Sequence, residues 1–337
     1  MQSIDEVSAT ASVTGTKTAV ETLKVSRKYA LVKGKPSTIS CLQIAGQSYA
    51  IRRGPVTIVG LEDEWYEDVS DPERVVAELT NARGFKADIF TFWQRPPDVE
   101  PKYPYYRESE DIAVLPLQGY EHWFKHQIKC RVRNLIRKTE KEGVEVKETV
   151  YDDEFVKGMT AIFNESAIRQ GRRFWHYGKD FETVKQQFSQ YVFRERMIGA
   201  YYRGELIGFV MLGNAGRFAL TGQIISSLKH RDKATTNALV AKCVEVCETL
   251  DLPFLVYFFW SDDSLAEFKR RCGFERVTTP RYFIPLTPKG RLALKLGMHR
   301  GWKSAIPTGL KSRLKELRRR WNESRVGEQR VPEPAEG

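Results

Sequence analysis

The feature that most constrains this chain is an apolar run, Phe254–Trp260, followed by a short charged segment that ends at Gly273. Seven consecutive apolar or aromatic residues predict a buried strand. The segment from Ser264 to Gly273 has the spacing of an amphipathic helix and the glycine that often follows one. A strand, a short helix and a further strand after Gly273 together indicate an α/β unit.

The composition predicts a folded globular protein. The chain has 337 residues, of which 41% are hydrophobic and 12% aromatic, enough for about two domains. No window approaches the roughly 18 apolar residues of a membrane span, and the polar first 20 residues have no secretion-signal pattern, so a cytoplasmic protein with a disordered leader is expected. Five cysteines without a Cys-x-x-Cys pair, and two histidines, His122 and His126, without a third ligand, predict neither disulfides nor a metal site.

The pattern of β-prone runs divides the chain into two halves. Residues 21–108 predict a smaller α/β half, with four short strands before residue 60, a helix opened by Asp71 and Pro72, and a strand at 87–93. The proline- and tyrosine-rich segment 94–106 predicts a linker. Residues 109–300 predict the larger half, and 301–337 a basic amphipathic helix with a disordered tail.

Two segments concentrate the net charge of +11. A predicted helix at 120–142 has an apolar stripe that should dock and an opposite basic face; the stripe is Phe124, Ile128, Val132, Leu135 and Thr139. In 309–325, four apolar residues from Leu310 to Trp321 share one face opposite six lysines and arginines. Packing on the domain is the first interpretation of that segment, peripheral contact with an anionic membrane the second, and contact with RNA phosphate a third.

The larger half resembles a known family. Phe268-Lys-Arg-Arg-Cys-Gly-Phe274 resembles the last helix of the GNAT acyltransferase fold in its Fem-like, or BioF-like, group, where Phe-Lys replaces Leu-Tyr. Residues 201–212 resemble the hairpin before the cofactor strand, and 133–138 resemble the Fem-like entry helix. The resemblance covers about residues 110–285. It implies a mixed twisted sheet flanked by helices, an α/β (α+β) fold, with a smaller, degenerate GNAT-like half before it.

Acyl transfer needs an oxyanion site, a neutral nucleophile and a proton donor. The resemblance implies that backbone N–H groups of Phe209, Val210, Met211 and Leu212 polarise the acyl carbonyl. It also implies that a loop and helix N-terminus bind the pyrophosphate of acetyl-CoA or another acyl-CoA; the residues are Lys229, Arg231, Lys233, Thr235, Thr236 and Asn237. This loop contains no glycine, unlike the usual acetyl-CoA loop, and a role for the two threonines as helix caps stays open.

Further site candidates lie on one helix and one loop. Lys269 stands where other members have a tyrosine acid, and the resemblance implies that it stabilises charge at the reacting centre; a solvated helix lysine is the alternative. The loop 164–178 is dense in chemistry-bearing side chains. Glu165 or His176 could take the amine proton, although packing is as good an interpretation of His176. The predicted substrate-binding residues are Arg169, Arg172, Arg173, Trp175, Tyr177 and Trp260.

Three functions follow as hypotheses. The first is an acyltransferase that moves an acyl group from a thioester to an amine, such as an amino sugar or a cell-envelope precursor, including a lipid-linked one. The second is an aminoacyl transferase that uses charged tRNA, bound by the basic face of the helix at 122–142. The third is an inactive module that binds nucleic acid or a membrane surface.

Overall fold

A computed structural model describes residues 23–32, 35–260 and 264–300. The predicted leader at 1–20 and the tail at 301–337, which includes the basic segment 309–325, lie outside the described residues. The first half contains β1 (Val25–Val32), β2 (Lys35–Ile44), β3 (Gln47–Arg52), β4 (Ile58–Leu61), α1 (Pro72–Asn81) and β5 (Ile89–Trp93), and β6 (Arg107–Pro116) begins the second half.

The second half follows the predicted order of elements. It contains α2 (Tyr120–His122), a π-helical turn (Trp123–Gln127), α3 (Cys130–Lys141), β7 (Val144–Thr149), α4 (Asp153–Asn164), β8 (Ile168–Arg169), β9 (Arg172–Arg173), α5 (Phe181–Phe188), a 3-10 helix (Ser189–Arg194), β10 (Glu195–Tyr202), β11 (Glu205–Asn214), β12 (Ala219–Ser226), α6 (Thr235–Thr249), β13 (Phe254–Phe259), α7 (Ser264–Arg271), β14 (Glu275–Pro285) and α8 (Pro288–Lys295).

In the described part of the chain, one mixed sheet of twelve strands runs through both halves, in the order β1-β2-β3-β4-β5-β14-β6-β13-β12-β11-β10-β7. Strand β14 joins them, because it pairs with β5 on one side and β6 on the other. The Trp93 indole donates to Thr279 Oγ1 at 2.7 Å across this seam. The predicted fold class, a mixed sheet flanked by helices, is confirmed.

Strands β12 and β13 are parallel and separate after a short contact. They pair only at Ala219 with Leu255 and Leu220 with Val256. Beyond that point the pairing of β13 with β6 is irregular, and Phe258 has a φ of 43°. The edge of β12 from residue 221 to 226 therefore faces no paired strand among the described residues. An unpaired sheet edge presents free backbone donors and acceptors.

Helices cover both faces of the second half of the sheet. On one face α6 is mostly buried, with Leu239, Val240 and Val244 fully enclosed. On the other face α4 and α5 enclose a core of rings that includes Phe155, Phe163 and Phe209. Aspartate side chains at positions 152 and 180 accept from N–H groups in the first turns of α4 and α5, which fixes where both helices begin.

The predicted continuous helix at 120–142 is wrong, because Ile128 is extended and separates a π-helical turn from α3. Arg133 makes this break stable, since its guanidinium donates to the carbonyls of Phe124, Lys125 and Ile128. The predicted stripe docks through Ile128, Val132 and Thr139. Ile136 is buried in place of Leu135, which is only partly covered.

The predicted linker at 94–106 begins with buried residues. Gln94 is 6% exposed and Arg95 is 3% exposed. Gln94 donates to the carbonyls of Asp98 and Glu100, and the hydroxyl of Tyr282 on β14 donates to Gln94. The segment is thus packed along the seam between the halves.

Candidate functional site

A cavity of about 440 Å³ opens beside the unpaired edge of β12. Its walls come from the segment 62–66 after β4, from residues 175–195, and from β11, β12 and β13. They are Ile39, Glu62, Asp63, Glu64, Trp65, Tyr66, Trp175, Gln187, Phe188, Gln190, Glu195, Met211, Leu220, Gly222, Gln223 and Phe258. Both halves of the chain therefore contribute to one concave site of the size that small ligands occupy.

Glu195 lines this cavity and has a strongly raised pKa. It lies at the start of β10, opposite Gly213 of β11. The Tyr66 hydroxyl donates to its Oε1 at 2.9 Å, while Oε2 is sealed from solvent and has no hydrogen-bond partner among the described residues. Burial raises the pKa of Glu195 to about 7, and the Tyr66 hydrogen bond opposes that rise. A carboxylate with a pKa near the working pH is suited to accept a proton.

Two glycines give these side chains room. A Cβ at Gly213 would lie 2.6 Å from the Tyr66 hydroxyl, and a Cβ at Gly222 would lie 3.0 Å from Glu195 Oε1. Gly222 also sits at the register shift where β12 bulges against Met211 and Leu212. The Glu195 carboxyl thus lies against the bulge of β12, the strand whose other edge is unpaired among the described residues.

The Tyr66 hydrogen bond gives a direct test of this geometry. Tyr66→Phe removes the donor that favours the carboxylate, so the pKa of Glu195 should rise further, by about one unit if the bond contributes about 1.4 kcal/mol. Carboxyl titration by carbon-13 NMR, with Glu195→Gln to assign the signal, measures the change. Tyr29→Phe is the control because Tyr29 is 83% exposed. An unchanged titration in Tyr66→Phe would contradict the arrangement.

Three arginines fix the segment that carries Tyr66. Arg281 donates to Glu64 and Glu110, and Arg95 donates to Asp68 and to the Trp65 carbonyl. Arg194 donates to Glu67 at 2.6 Å. The Trp65 ring packs 4.6 Å from Trp93 and 5.1 Å from Phe258, measured between ring centroids. Charge pairs and ring contacts together hold this wall of the cavity in place.

Glu165 and Arg169 anchor the chain that leaves β12. Glu165 accepts from the Ser227 hydroxyl, from the Leu228 N–H at 2.6 Å and from Arg169. Arg169 also donates to the carbonyls of Ser226 and Ile162. Neighbouring groups thus bind both side chains, and the roles of Glu165 as proton acceptor and Arg169 as substrate ligand stay predictions.

His176 is a packing residue. It is 1% exposed, and its ring stacks 4.2 Å from that of Phe163. Burial lowers its pKa to about 3, so the ring is neutral and a poor proton acceptor at neutral pH. These observations favour the packing interpretation, and the role of His176 as a base stays a prediction.

Of the other predicted substrate-binding residues, the structure brings one to the cavity. Trp175 lines it and is 47% exposed. Arg172, Arg173 and Tyr177 are exposed and do not line it. Trp260 lies elsewhere, with the Arg270 guanidinium 5.4 Å from its ring centroid. The arginines of this loop do not line the cavity, and their role in holding an anionic substrate stays a prediction.

Lys269 is buried in α7 and holds the kink of β13. It is 1% exposed, and its Nζ donates to the carbonyls of Tyr257 at 2.7 Å and Phe259 at 2.8 Å. The alternative of a solvated helix lysine is wrong. By fixing the carbonyls on either side of Phe258, Lys269 stabilises the bend through which β13 leaves β12. Its implied role at the reacting centre stays a prediction.

Lys269→Ala is expected to lower the free energy of unfolding by about 2 kcal/mol, because two partly buried carbonyls of β13 lose their charged donor. Chemical denaturation measures the loss. Arg270→Ala is the control on the same helix, since the Arg270 side chain is 53% exposed and should contribute less than about 0.5 kcal/mol. Equal stability of the two variants would show that Lys269 does not support the kink.

The strand predicted to polarise the acyl carbonyl is fully paired. Residues 209–212 of β11 pair with β10 on one side and β12 on the other. The assignment of Phe209, Val210, Met211 and Leu212 as the splayed strand is therefore corrected: the open edge belongs to β12. Met211 still contributes its side chain to the cavity.

Helix α3 covers the predicted phosphate loop. Lys138 donates to the Asp232 carbonyl at 2.9 Å and Thr139 to the Lys233 carbonyl at 2.7 Å. Lys233 itself pairs with Glu142 at 2.9 Å. Lys229 and Arg231 are exposed, so they are the side chains of this loop that a phosphate could meet.

The start of α6 differs from the prediction. Ala234 occupies the cap position with a φ of 55°, and no side chain caps the helix. Thr235 is buried, Thr236 bonds Ser226, and Asn237 bonds the Ala234 carbonyl. The interpretation of the two threonines as caps is wrong, and their predicted cofactor role stays a prediction.

Sequence reasoning missed Glu195 and Tyr66. Glu195 stands between Arg194 and Arg196 at a strand start, a pattern typical of a solvated edge. The segment 61–68 gave a usable signal, because five carboxylates and two aromatic residues follow a predicted strand directly. Among the described residues, no helix is long and apolar enough to cross a membrane, and no group of three potential ligands is placed to hold a metal ion.

The sheet, its diverging parallel strands and its flanking helices define a GNAT-like acyltransferase fold. Among solved structures, FemX is 11% identical, with a TM-score of 0.53 over 82% of this chain and 90% of that one. The C-terminal domain of a proposed lysylphosphatidylglycerol synthetase from Agrobacterium fabrum is also 11% identical, with a TM-score of 0.52 over 77% of this chain and 88% of that one. No family model and no curated protein sequence matches the chain. At these identities the likeness concerns the fold.

Proposed function

We propose that this chain is an N-acyltransferase in which the cavity holds an amine acceptor and Glu195 takes the proton of its ammonium group. One observation carries the proposal: the Glu195 carboxyl lies against Gly222, at the bulge of β12. Among the described residues, the outer edge of β12 is unpaired from this point, because β13 separates from it after residue 220. That edge supplies backbone N–H groups for a developing oxyanion, and Glu195 supplies the base.

The proposed reaction balances with these groups. The Glu195 carboxylate removes one proton from the substrate ammonium, which gives a neutral amine. The amine nitrogen attacks the acyl carbonyl carbon, a C–N bond forms, and the C–S bond of the thioester breaks. The nitrogen loses a second proton, which the leaving thiolate takes up. The products are an amide and a thiol, and Glu195 returns its proton to solvent.

The acyl donor in this proposal is a thioester of the acyl-CoA class. The exposed Lys229 and Arg231 beside the unpaired edge of β12 support it, because phosphate groups bind at such basic loops. Helix α3 restricts the loop from one side, through the bonds of Lys138 and Thr139 to loop carbonyls. Acetyl-CoA is the first donor to test, and an amino sugar or a lipid-linked cell-envelope amine remains the proposed biological acceptor.

A charged tRNA is the second candidate donor, and the surface of α3 favours it. The exposed basic side chains of this helix and the turn before it are Lys125, Lys129, Arg131, Arg137, Lys138 and Lys141. A row of cations beside the loop could contact the phosphates of an RNA acceptor stem. Aminoacyl transfer would use the same cavity and the same base, with an ester oxygen as the leaving group.

The test incubates the full chain with a panel of primary amines and with either acetyl-CoA or charged tRNA. Thiol release and product mass report the first donor, and loss of aminoacyl-tRNA reports the second. Transfer from acetyl-CoA that Glu195→Gln abolishes supports the proposal. Transfer from charged tRNA alone, weakening steeply with salt, would move the assignment to the second candidate. No transfer from either donor would overturn both.

A further inference from the structure

The cavity walls carry charge of one sign. Glu62, Asp63, Glu64 and Glu195 line it, and no lysine, arginine or histidine does so among the described residues. Three cations, Lys28, Arg194 and Arg281, pair with the first three of these carboxylates, but none of the three cations lines the cavity. The lining therefore offers carboxylates and no cation among the described residues, which favours a cationic ligand over an anionic one.

Aromatic rings form the rest of the wall. Trp65, Tyr66, Trp175, Phe188 and Phe258 all line the same space. The Trp175 ring also lies 4.0 Å, measured from its centroid, from the ammonium of Lys179, which does not itself line the cavity. Aromatic faces attract ammonium groups, and carboxylates beside them add Coulomb attraction. This combination selects for organic cations.

We infer that the acceptor carries a second cationic group, so that the substrate class is a diamine. The inference rests on the proposed function, since one amine is the nucleophile that Glu195 deprotonates. The second amine stays protonated between the aromatic rings and the carboxylates of residues 62–64. A monoamine would use only half of these contacts, and an amine with a distal carboxylate would bring like charges together.

Three probes that share one primary amine and five carbon atoms test the inference at the far end of the ligand. They are 1,5-diaminopentane, pentylamine and 5-aminopentanoate, which end in an ammonium, a methyl and a carboxylate group. Calorimetric titration of the full chain, without any acyl donor, measures their dissociation constants. We expect the diamine to bind at least tenfold more tightly than pentylamine, and 5-aminopentanoate to bind most weakly.

A matched pair of variants locates the second cation. Asp63→Asn should weaken diamine binding about fivefold and leave pentylamine binding unchanged. The variant should still fold, because Arg194 retains its hydrogen bond to Glu67 at 2.6 Å when its pairing with Asp63 is lost. Glu205→Gln is the control: Glu205 begins β11, where it pairs with Tyr202 at the far end of β10 from Glu195, and its side chain is 64% exposed. It should bind the diamine as the natural chain does.

The outcomes separate this inference from the proposed function. Tight diamine binding without transfer from either donor supports a diamine site in the cavity and overturns the proposed function. Transfer to pentylamine with no preference for the diamine overturns the inference and leaves the function standing. Tighter binding of 5-aminopentanoate than of the diamine also overturns it, as would equal losses in Asp63→Asn and Glu205→Gln.

Discussion

Glu195→Gln is expected to lower kcat/KM for amine acylation by about 10²- to 10⁴-fold, the usual contribution of a general base. Glutamine keeps the size of the side chain and can still accept from Tyr66, so the fold should be retained. In the natural chain kcat/KM should rise with pH through about 7, because the carboxylate is the active form. This rise of kcat/KM with pH should be absent in the variant. Glu182→Gln, at an exposed position on α5, is the control.

The same variant has an effect on stability that needs no assay of activity. Folding raises the pKa of Glu195 from its ordinary value of 4.5 to about 7. The protonated form is therefore favoured in the fold, and the stability it contributes is fully present below pH 4.5 and lost as pH rises through 7. Glu195→Gln should gain stability relative to the natural chain between pH 5 and pH 8. A pH-independent difference in denaturation midpoint would contradict a raised pKa.

Arg281→Met is expected to lower the free energy of unfolding by about 3 kcal/mol, because removing one partner of a buried ion pair leaves uncompensated charge. The Arg281 side chain is 10% exposed and bridges Glu64 and Glu110. Methionine keeps most of its apolar volume, so lost packing is a minor factor. Since Glu64 precedes Trp65 and Tyr66, the variant should also lower kcat/KM. Chemical denaturation measures the first effect and initial rates the second.

Arg276→Met is the matched control on the same strand. Arg276 pairs with Asp111, but its side chain is 52% exposed, so the change should cost less than about 1 kcal/mol. A comparable loss of unfolding free energy in both variants would mean that the removal of any positive charge destabilises the protein, and that the buried bridge has no special role. If Arg281→Met keeps full stability but has lower activity, then Arg281 serves only to position the cavity wall.

Much of the fold could be predicted because its signals are local. The run at 254–260 and the helix that ends before Gly273 follow from periodicity and from one glycine. The strands on either side of the Arg203-Gly204 turn follow in the same way. The break at Ile128 could not be predicted, because it depends on Arg133 binding carbonyls of the preceding turn. Nor could the packing of 94–106, which depends on Tyr282 far along the chain.

The site was harder to predict because it depends on burial and on contacts between distant segments. His176 and Glu165 carry the residue types that catalysis uses, yet one is enclosed by phenylalanines and the other is occupied by three donors. Glu195 carries no local signal, and its environment comes from Tyr66, which is 129 residues earlier. Of the residues of the loop 164–178 that the sequence singled out, Trp175 lines the cavity.

Strand β14 at the seam also sets a condition on biosynthesis. Trp93 of β5 bonds Thr279 of β14, which leaves the ribosome 186 residues later. At about 5–20 residues per second, this delay is on the order of 10–40 s. During that interval one edge of β5, an entirely apolar or hydroxyl-bearing strand, has no neighbour from its own chain. Edges of this kind pair readily with other nascent chains, so the yield of soluble protein should depend on translation speed and on chaperones that shield the first half.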